Sequence, residues 1–320
     1  MKKNPIGETG LFVTEVGFGA GPLGGMPDTY GHDVDEDTAR ATVRAIFDGP
    51  VNLLDTSRNY GMGRSEARIG AVIRERGGLP QGFVLSTKLD RDMETGRFDA
   101  ARARRSLEES LAALGVDKVG ILHLHDPEHG ADVSEVTRKG GALEALFRFK
   151  QEGLATAVGL AMGRMDLFTS LIGDWPFDVV MNHNRYTLLN RSAGPAYAKA
   201  RGRGMAVFNA APYAGGVLAK GSAKAPRITY QEASEAALAP VRRVEAICER
   251  RHIAVGAAAL QFSIRAADVA STIVGVSRPQ RVRETLDWAS AAITEAAWRE
   301  LDGLAYDMTD PEAERHYTPG

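Results

Sequence analysis

Four side chains that are costly to bury unless they are used stand at the ends of short apolar runs. Asp55 closes residues 51–55, Lys88 closes 83–88, His125 closes 119–125, and Tyr60 follows Asp55 in the loop 56–61. Desolvating such ionisable groups is unfavourable, so they are expected to be paired or working. Together they can move a proton. A phenol has an ordinary pKa of about 10, and bringing it to neutrality takes roughly 4 kcal/mol, the task of a neighbouring cation. Lys88 is expected to supply that charge and Asp55 to keep Lys88 protonated and in place. His125 is expected to donate a hydrogen bond that positions a carbonyl or hydroxyl. One such residue alone reads as an ordinary polar strand end; the set of four points to catalysis.

The elements that bring these ends together follow from periodicity. Short β-branched runs at 16–19, 51–55, 83–88, 119–125, 157–160, 178–181, 206–208 and 272–276 alternate with amphipathic stretches, the pattern of a parallel sheet wrapped by helices. The buried helical faces are predicted at Val43, Ile46 and Phe47; Ile69, Val72 and Ile73; Leu107, Leu111 and Leu114; Leu143, Leu146 and Phe147; and Val282, Leu286 and Ala289. Gly49, Gly77, Gly115 and Gly153 fall where left-handed helix ends are expected. Eight strand-helix units without a linker predict one α/β domain over 1–320, a (β/α)8 TIM barrel with its site at the C-terminal strand ends. A short hairpin at 4–13 is expected to close the floor, and 291–320 to form a final helix and a tail over the mouth.

Composition narrows the function. The 39 basic and 41 acidic residues nearly balance, so no strong field favours nucleic acid or anionic lipid. The one cysteine, Cys248, excludes disulfide frameworks and cysteine-rich metal sites and reads as a buried thiol; no metal is expected. No segment approaches the roughly 20 apolar residues of a membrane span, and the expected location is the cytoplasm, as a monomer or homodimer. Gly19-Ala20-Gly21-Pro22-Leu23-Gly24 satisfies a dinucleotide-binding glycine pattern, but it runs into Gly25-Met26-Pro27 rather than a helix, and reads as the first βα loop.

Longer motifs carry a resemblance. Asn52-Leu53-Leu54-Asp55-Thr56-Ser57 through Tyr60-Gly61, then Ser65-Glu66 and Ile69-Gly70, resemble the first signature of the aldo-keto reductases. Ser86-Thr87-Lys88 is similar to that family's lysine strand, and Leu122-His123-Leu124-His125-Asp126-Pro127 to its histidine strand. The resemblance spans essentially the whole chain. It implies that Tyr60 is the general acid/base, that Lys88 and Asp55 tune it, and that His125 orients substrate. His123 shares the face of His125 and reads as barrel filling.

A second site is expected at 275–285. Ser277 with Gln280 predicts a capping box, and the helix N-terminus behind it is a ready anion site. The resemblance implies NAD or NADP here: Arg281 on the adenine, Glu284 at its amino group, Ser277 and Arg278 by the ribose, and Gly275 and Thr285 in the same segment. Asn209, Ala214, Gly215, Gly216 and Leu218 resemble the loop that covers the pyrophosphate. The family's carboxamide ligands are replaced, with Ala161-Met162 for a Ser-Asn pair and His183 for a Gln, leaving Asn182, His183 and Asn184 at that place. Asn209-Ala210-Ala211-Pro212 stands where an aromatic normally stacks on the nicotinamide.

The fourth-strand and sixth-strand sequences are similar to a sugar-dehydrogenase branch that oxidises cyclic hemiacetals to lactones. That implies a small sugar or aldehyde substrate, with Tyr30, Arg58, Asn59, Asp126 and His129 as candidate contacts. Two rivals share the residues: an NADPH-dependent aldehyde reductase, and a regulatory barrel with little turnover.

Overall fold

Strands buried on both faces are built from continuous apolar runs, and eight such runs close on themselves here. In the computed structural model, which describes residues 1–313, the barrel strands are Val16–Gly19, Leu53–Asp55, Val84–Leu89, Val119–His125, Ala155–Ala161, Val179–His183, Ala206–Ala210 and Ser271–Gly275. Each is parallel to the next, and Ser271–Gly275 closes the circle against Val16–Gly19. The predicted (β/α)8 barrel is therefore the observed fold. Among the described residues no helix is long and apolar enough to cross a membrane.

Strand alternation divides the core in two. Leu53, Val84, Ile121, Ala157, Val179, Phe208 and Ile273 fill the barrel interior, while Leu54, Leu85, Leu122, Val158, Val180, Val207 and Val274 pack outward under the helices. Asp55, Lys88 and His125 have the inward parity, one layer above that filling. His123 is buried in it beside Phe208, and Gly159 makes the room: a Cβ there would lie 2.5 Å from the His123 ring. The floor is closed by the hairpin Lys3–Pro5 with Phe12–Thr14, whose Val13, with the adjoining Ile6, is fully buried against the same filling.

Helix boundaries show where local signals succeed. Asp35 and Asp99 cap helices Glu36–Phe47 and Ala100–Leu114 by accepting from Thr38 and Arg102 amides. Gly77 and Gly115 are left-handed caps, and Gly153 is left-handed just past helix Ala142–Gln151. Gly49 is not: helix Glu36–Phe47 ends on Asp48 in a right-handed conformation. The capping box at Ser277 does not form either. Arg278 occupies the cap of helix Pro279–Ser290, with Pro279 as its first residue and no side-chain cap bond. Cys248 is buried in helix Glu235–Arg250, and burial, then Glu245, pushes its thiol up to about 11.

The glycine-rich first loop forms a single 3-10 turn, Gly21–Gly24. Gly24 is needed for contact: a Cβ on it would lie 2.7 Å from the Tyr60 carbonyl carbon, so two backbones meet here and set the height of the Tyr60 loop. After helix Glu295–Asp302 the chain returns across the mouth, where Asp307 bridges Asn190 and the Asn190 side chain donates to the Thr309 carbonyl at 2.8 Å. The tail beyond residue 313 lies outside the described residues.

Candidate active site

The strand ends deliver Asp55 and Lys88 side by side. Lys88 Nζ, almost fully buried, donates to Asp55 Oδ2 at 2.6 Å, to the Thr56 carbonyl at 2.6 Å and to the Tyr60 hydroxyl at 3.2 Å. Asp55 Oδ1 accepts from Ser86 Oγ at 2.8 Å. The ammonium also lies 4.6 Å from the centre of the Tyr60 ring.

This geometry overturns the expected direction of the phenol's acidity. Burial raises the Tyr60 pKa well above its ordinary value, and Asp55, Asp126 and Asp90 raise it further. The charge of Lys88 is already matched by Asp55, so three carboxylates around one cation hold the phenol protonated. In the chain without ligands Tyr60 is a proton donor.

His125 is held by a network that the sequence reading missed. Its Nδ1 lies 2.6 Å from Asp90 Oδ1 and 3.2 Å from Ser57 Oγ, and its Nε2 lies 3.5 Å from Asp126 Oδ2. The ring stands edge-on to Tyr60, with centres 5.9 Å apart. Burial works to lower the His125 pKa, but Asp126 and Asp90 outweigh it and the net shift is upward. His123 goes the other way: burial, then Lys88 and His125, push it well below an ordinary histidine, which fits interior filling. Asp90 was detectable, since it lies two residues beyond Lys88 and shares its parity.

Asp55, Tyr60, Lys88 and His125 line one cavity at the mouth, whose walls include Tyr30, Asn59, Asp126, Met162, His183 and Tyr230. His129 lines an adjoining cavity with Arg164, Arg185, Asp310 and Glu312. Arg58 is a correction: it turns away to Glu109 at 3.3 Å and the Met62 carbonyl at 3.1 Å. The returning tail is held by Arg185, 2.6 Å from Asp310, and by Glu312, which accepts from Asn184 at 2.5 Å and lies 3.5 Å from His183. Burial would raise the Glu312 pKa, but His183, Arg185 and Asn184 hold it far below the usual range. Sequence spacing could not show that a tail carboxylate faces His183.

A groove runs outward from this cavity, sharing Pro22, Tyr30, Ala211, Tyr230 and Gly275 with it, and ends at Ser277, Arg281, Thr285 and Trp288. Gly215 and Gly216, both left-handed, line its middle. Exposed Gly275 leaves the passage open, since an added Cβ would meet only Pro22, at 3.5 Å. Arg281 pairs with Glu284 and lies over Trp288, while Arg278 is exposed at the helix cap. Burial lowers the Lys220 pKa, as do Arg281, Arg278 and Arg227, so cations crowd one rim. Such a rim suits an anionic dinucleotide.

Four expected cofactor contacts are displaced. Asn182 has outward parity, and its amide donates to the Met162 and Gly163 carbonyls at 2.7 and 3.0 Å. The Asn209 amide donates to the Tyr186 carbonyl at 2.8 Å and Ser263 Oγ at 2.7 Å, and accepts from Tyr197 at 3.0 Å, so it braces the wall. Ala214 and Leu218 are packed in the apolar cluster behind the groove. Tyr30 and Tyr230 supply the rings near the cavity that Ala210 and Ala211 lack.

Comparison with known proteins agrees with this architecture. The Aldo/keto reductase family profile matches residues 15–305. The chain is 32% identical to L-galactose dehydrogenase of Arabidopsis thaliana, covering 95% of this chain and 90% of the relative. It is 28% identical to pyridoxal 4-dehydrogenase of Microbacterium luteolum, with 94% and 96% covered. It is 30% identical to D-threo-aldose 1-dehydrogenase of a Pseudomonas species, with 91% and 94% covered. An aldo-keto reductase from Bacillus halodurans in its holo form shares the fold, with a TM-score of 0.78 at 22% identity over 99% of this chain and 100% of that one. On its motifs, its closed barrel and a profile spanning nearly its whole length, the chain belongs to the aldo/keto reductase family of oxidoreductases.

Proposed function

We propose that the chain is an NAD(P)-dependent dehydrogenase that oxidises a cyclic aldose at C1 to its lactone. The observation that carries the reading is Tyr60, 3.2 Å from the Lys88 ammonium, facing a cavity whose rim is polar through Asn59, Asp126 and His183. A sugar ring needs hydrogen-bond partners at several hydroxyls, and that rim offers them. The similarity to relatives named for L-galactose and D-threo-aldose supports the same class.

In this reading the C1 hydroxyl lies between Tyr60 and His125. Gly215, Gly216, Gly275, Ser277, Arg281 and Thr285 would hold the dinucleotide, with Glu284 fixing Arg281 and Arg278 beside the ribose. The oxidised dinucleotide, once held there, would supply the hydride acceptor for the reaction. Tyr60 would first release its own proton to solvent at the cavity mouth; the hydroxyl proton then passes to the phenolate oxygen, which Lys88 steadies. In reduction Tyr60 needs no such preparation, since it already holds its proton.

The test is a panel of L-galactose, L-fucose and other aldoses with NAD+ and NADP+, followed by nicotinamide absorbance and lactone analysis. Lactone formation that Tyr60→Phe abolishes while cofactor binding persists supports the reading. Turnover confined to aldehyde reduction with NADPH replaces it with the reductase.

A further inference from the structure

Asp90 takes no part in the hydride or proton transfer above, yet its carboxylate is buried against the histidine that faces the reacting oxygen. Its Oδ2 accepts from Ser57 Oγ at 2.6 Å and from the Asn59 amide at 3.0 Å, leaving Oδ1 for His125 Nδ1 at 2.6 Å. Burial would raise the Asp90 pKa, but His125, Ser57 and Asn59 hold it below the usual carboxylate range. An ionised carboxylate can only accept, so Nδ1 must carry the hydrogen. Ser57 Oγ, whose hydrogen is already directed to Asp90 Oδ2, can only accept from Nδ1 as well.

We propose that Asp90 is a positioning residue that sets the hydrogen-bond polarity of His125 toward the substrate. With Nδ1–H committed to Asp90, the neutral ring offers a bare Nε2 lone pair and accepts from an alcohol whose oxygen faces the still-protonated Tyr60 phenol; the hydroxyl hydrogen turns to Tyr60 only once that phenol has ionised. The protonated ring offers Nε2–H and donates to a carbonyl. His125 therefore selects the alcohol when neutral and the carbonyl when charged, which deepens the dehydrogenase reading and rests on His125 facing the reacting oxygen.

The groups that face His125 set where this exchange falls. Asp90 and Asp126 favour the charged ring; Lys88 and burial oppose it; His123 lies below, His129 beyond Asp126, and the neutral Tyr60 phenol stands edge-on. The two carboxylates prevail. Without the Asp90 charge, the neutral ring would move its hydrogen to Nε2, beside Asp126, and present a donor in both states.

The test needs neither cofactor nor turnover. In the full chain with 15N-labelled histidine, long-range 1H–15N spectra over a pH series report the tautomer and midpoint of His125, assigned by its loss in His125→Gln. The expected result is an Nδ1–H tautomer at alkaline pH, and a midpoint that Asp90→Asn lowers by about one pH unit, a tenfold loss of proton affinity. An Nε2–H tautomer in the unaltered chain overturns the proposal, as does an unmoved midpoint in a folded Asp90→Asn. Should that variant fail to fold, the tautomer of the unaltered chain decides alone. In a chain that oxidises an aldose, Asp90→Asn raises KM for the alcohol about tenfold at alkaline pH, with a smaller change in kcat. A chain with the Nδ1–H tautomer but no turnover refutes the dehydrogenase and leaves the Asp90 assignment standing.

Discussion

Replacing Lys88 by Met exposes how the site is held together. The ammonium and the Asp55 carboxylate are both nearly inaccessible, and at 2.6 Å their attraction is roughly 6 kcal/mol at an effective dielectric of 20. Desolvating the two ions costs several kcal/mol each, so the intact pair contributes little net stability. Removing Lys88 alone leaves Asp55 buried without its cation, with Ser86 Oγ still donating to it, which costs about 3–5 kcal/mol. Lys88→Met combined with Asp55→Asn contains no orphaned ion and should recover most of that loss. Urea unfolding, with unchanged m-values, gives the differences directly. A single variant as stable as the double one refutes the argument. Both variants should lose turnover, because Tyr60 loses the ammonium beside it.

Glu66 is fully buried on the inner face of helix Arg64–Arg76, accepts from Thr87 Oγ1 at 2.6 Å, and is pushed up to about 7, mainly by burial. A carboxyl raised in the folded state stabilises at low pH and loses that contribution as the pH rises through about 7. Glu66→Gln should therefore remove a loss of about 3 kcal/mol between acid and alkaline pH; equal slopes for both proteins in urea unfolding would contradict this. Because the Tyr60 phenol is raised well above its ordinary value, kcat/KM for oxidation should climb about tenfold per pH unit through the alkaline range, while reduction, for which Tyr60 already holds its proton, should not climb. An oxidation plateau below pH 8 would remove Tyr60 as the base. Arg281→Ala should weaken cofactor binding roughly 3- to 30-fold, the worth of one stacked guanidinium, read by fluorescence of the neighbouring Trp288. An unchanged Kd would take Arg281 out of the dinucleotide site.

Particular residues show how much was legible. Asp55, Lys88 and His125 could be read because each ends a run of period two, and the end of a barrel strand has one known location. Asn182 could have been placed correctly, since its neighbours Met181 and His183 share the inward parity. Arg58 could not: in a loop, its choice of Glu109 over the mouth depends on a helix about fifty residues away. Asn209 looked free for a cofactor because nothing local shows that Tyr186, Tyr197 and Ser263 converge on it.

By itself the sequence determined the barrel, the family motifs and the placement of four residues at its C-terminal end, because hydrophobic period and strand ends are local properties. Only the tertiary structure decided their proton states. The Tyr60 phenol keeps its proton because burial and the charges of Asp55, Asp126 and Asp90 all oppose its loss, and His125 is poised to gain one because Asp126 and Asp90 outweigh its burial. A pKa sums charges through space, over distances that spacing along the chain does not encode.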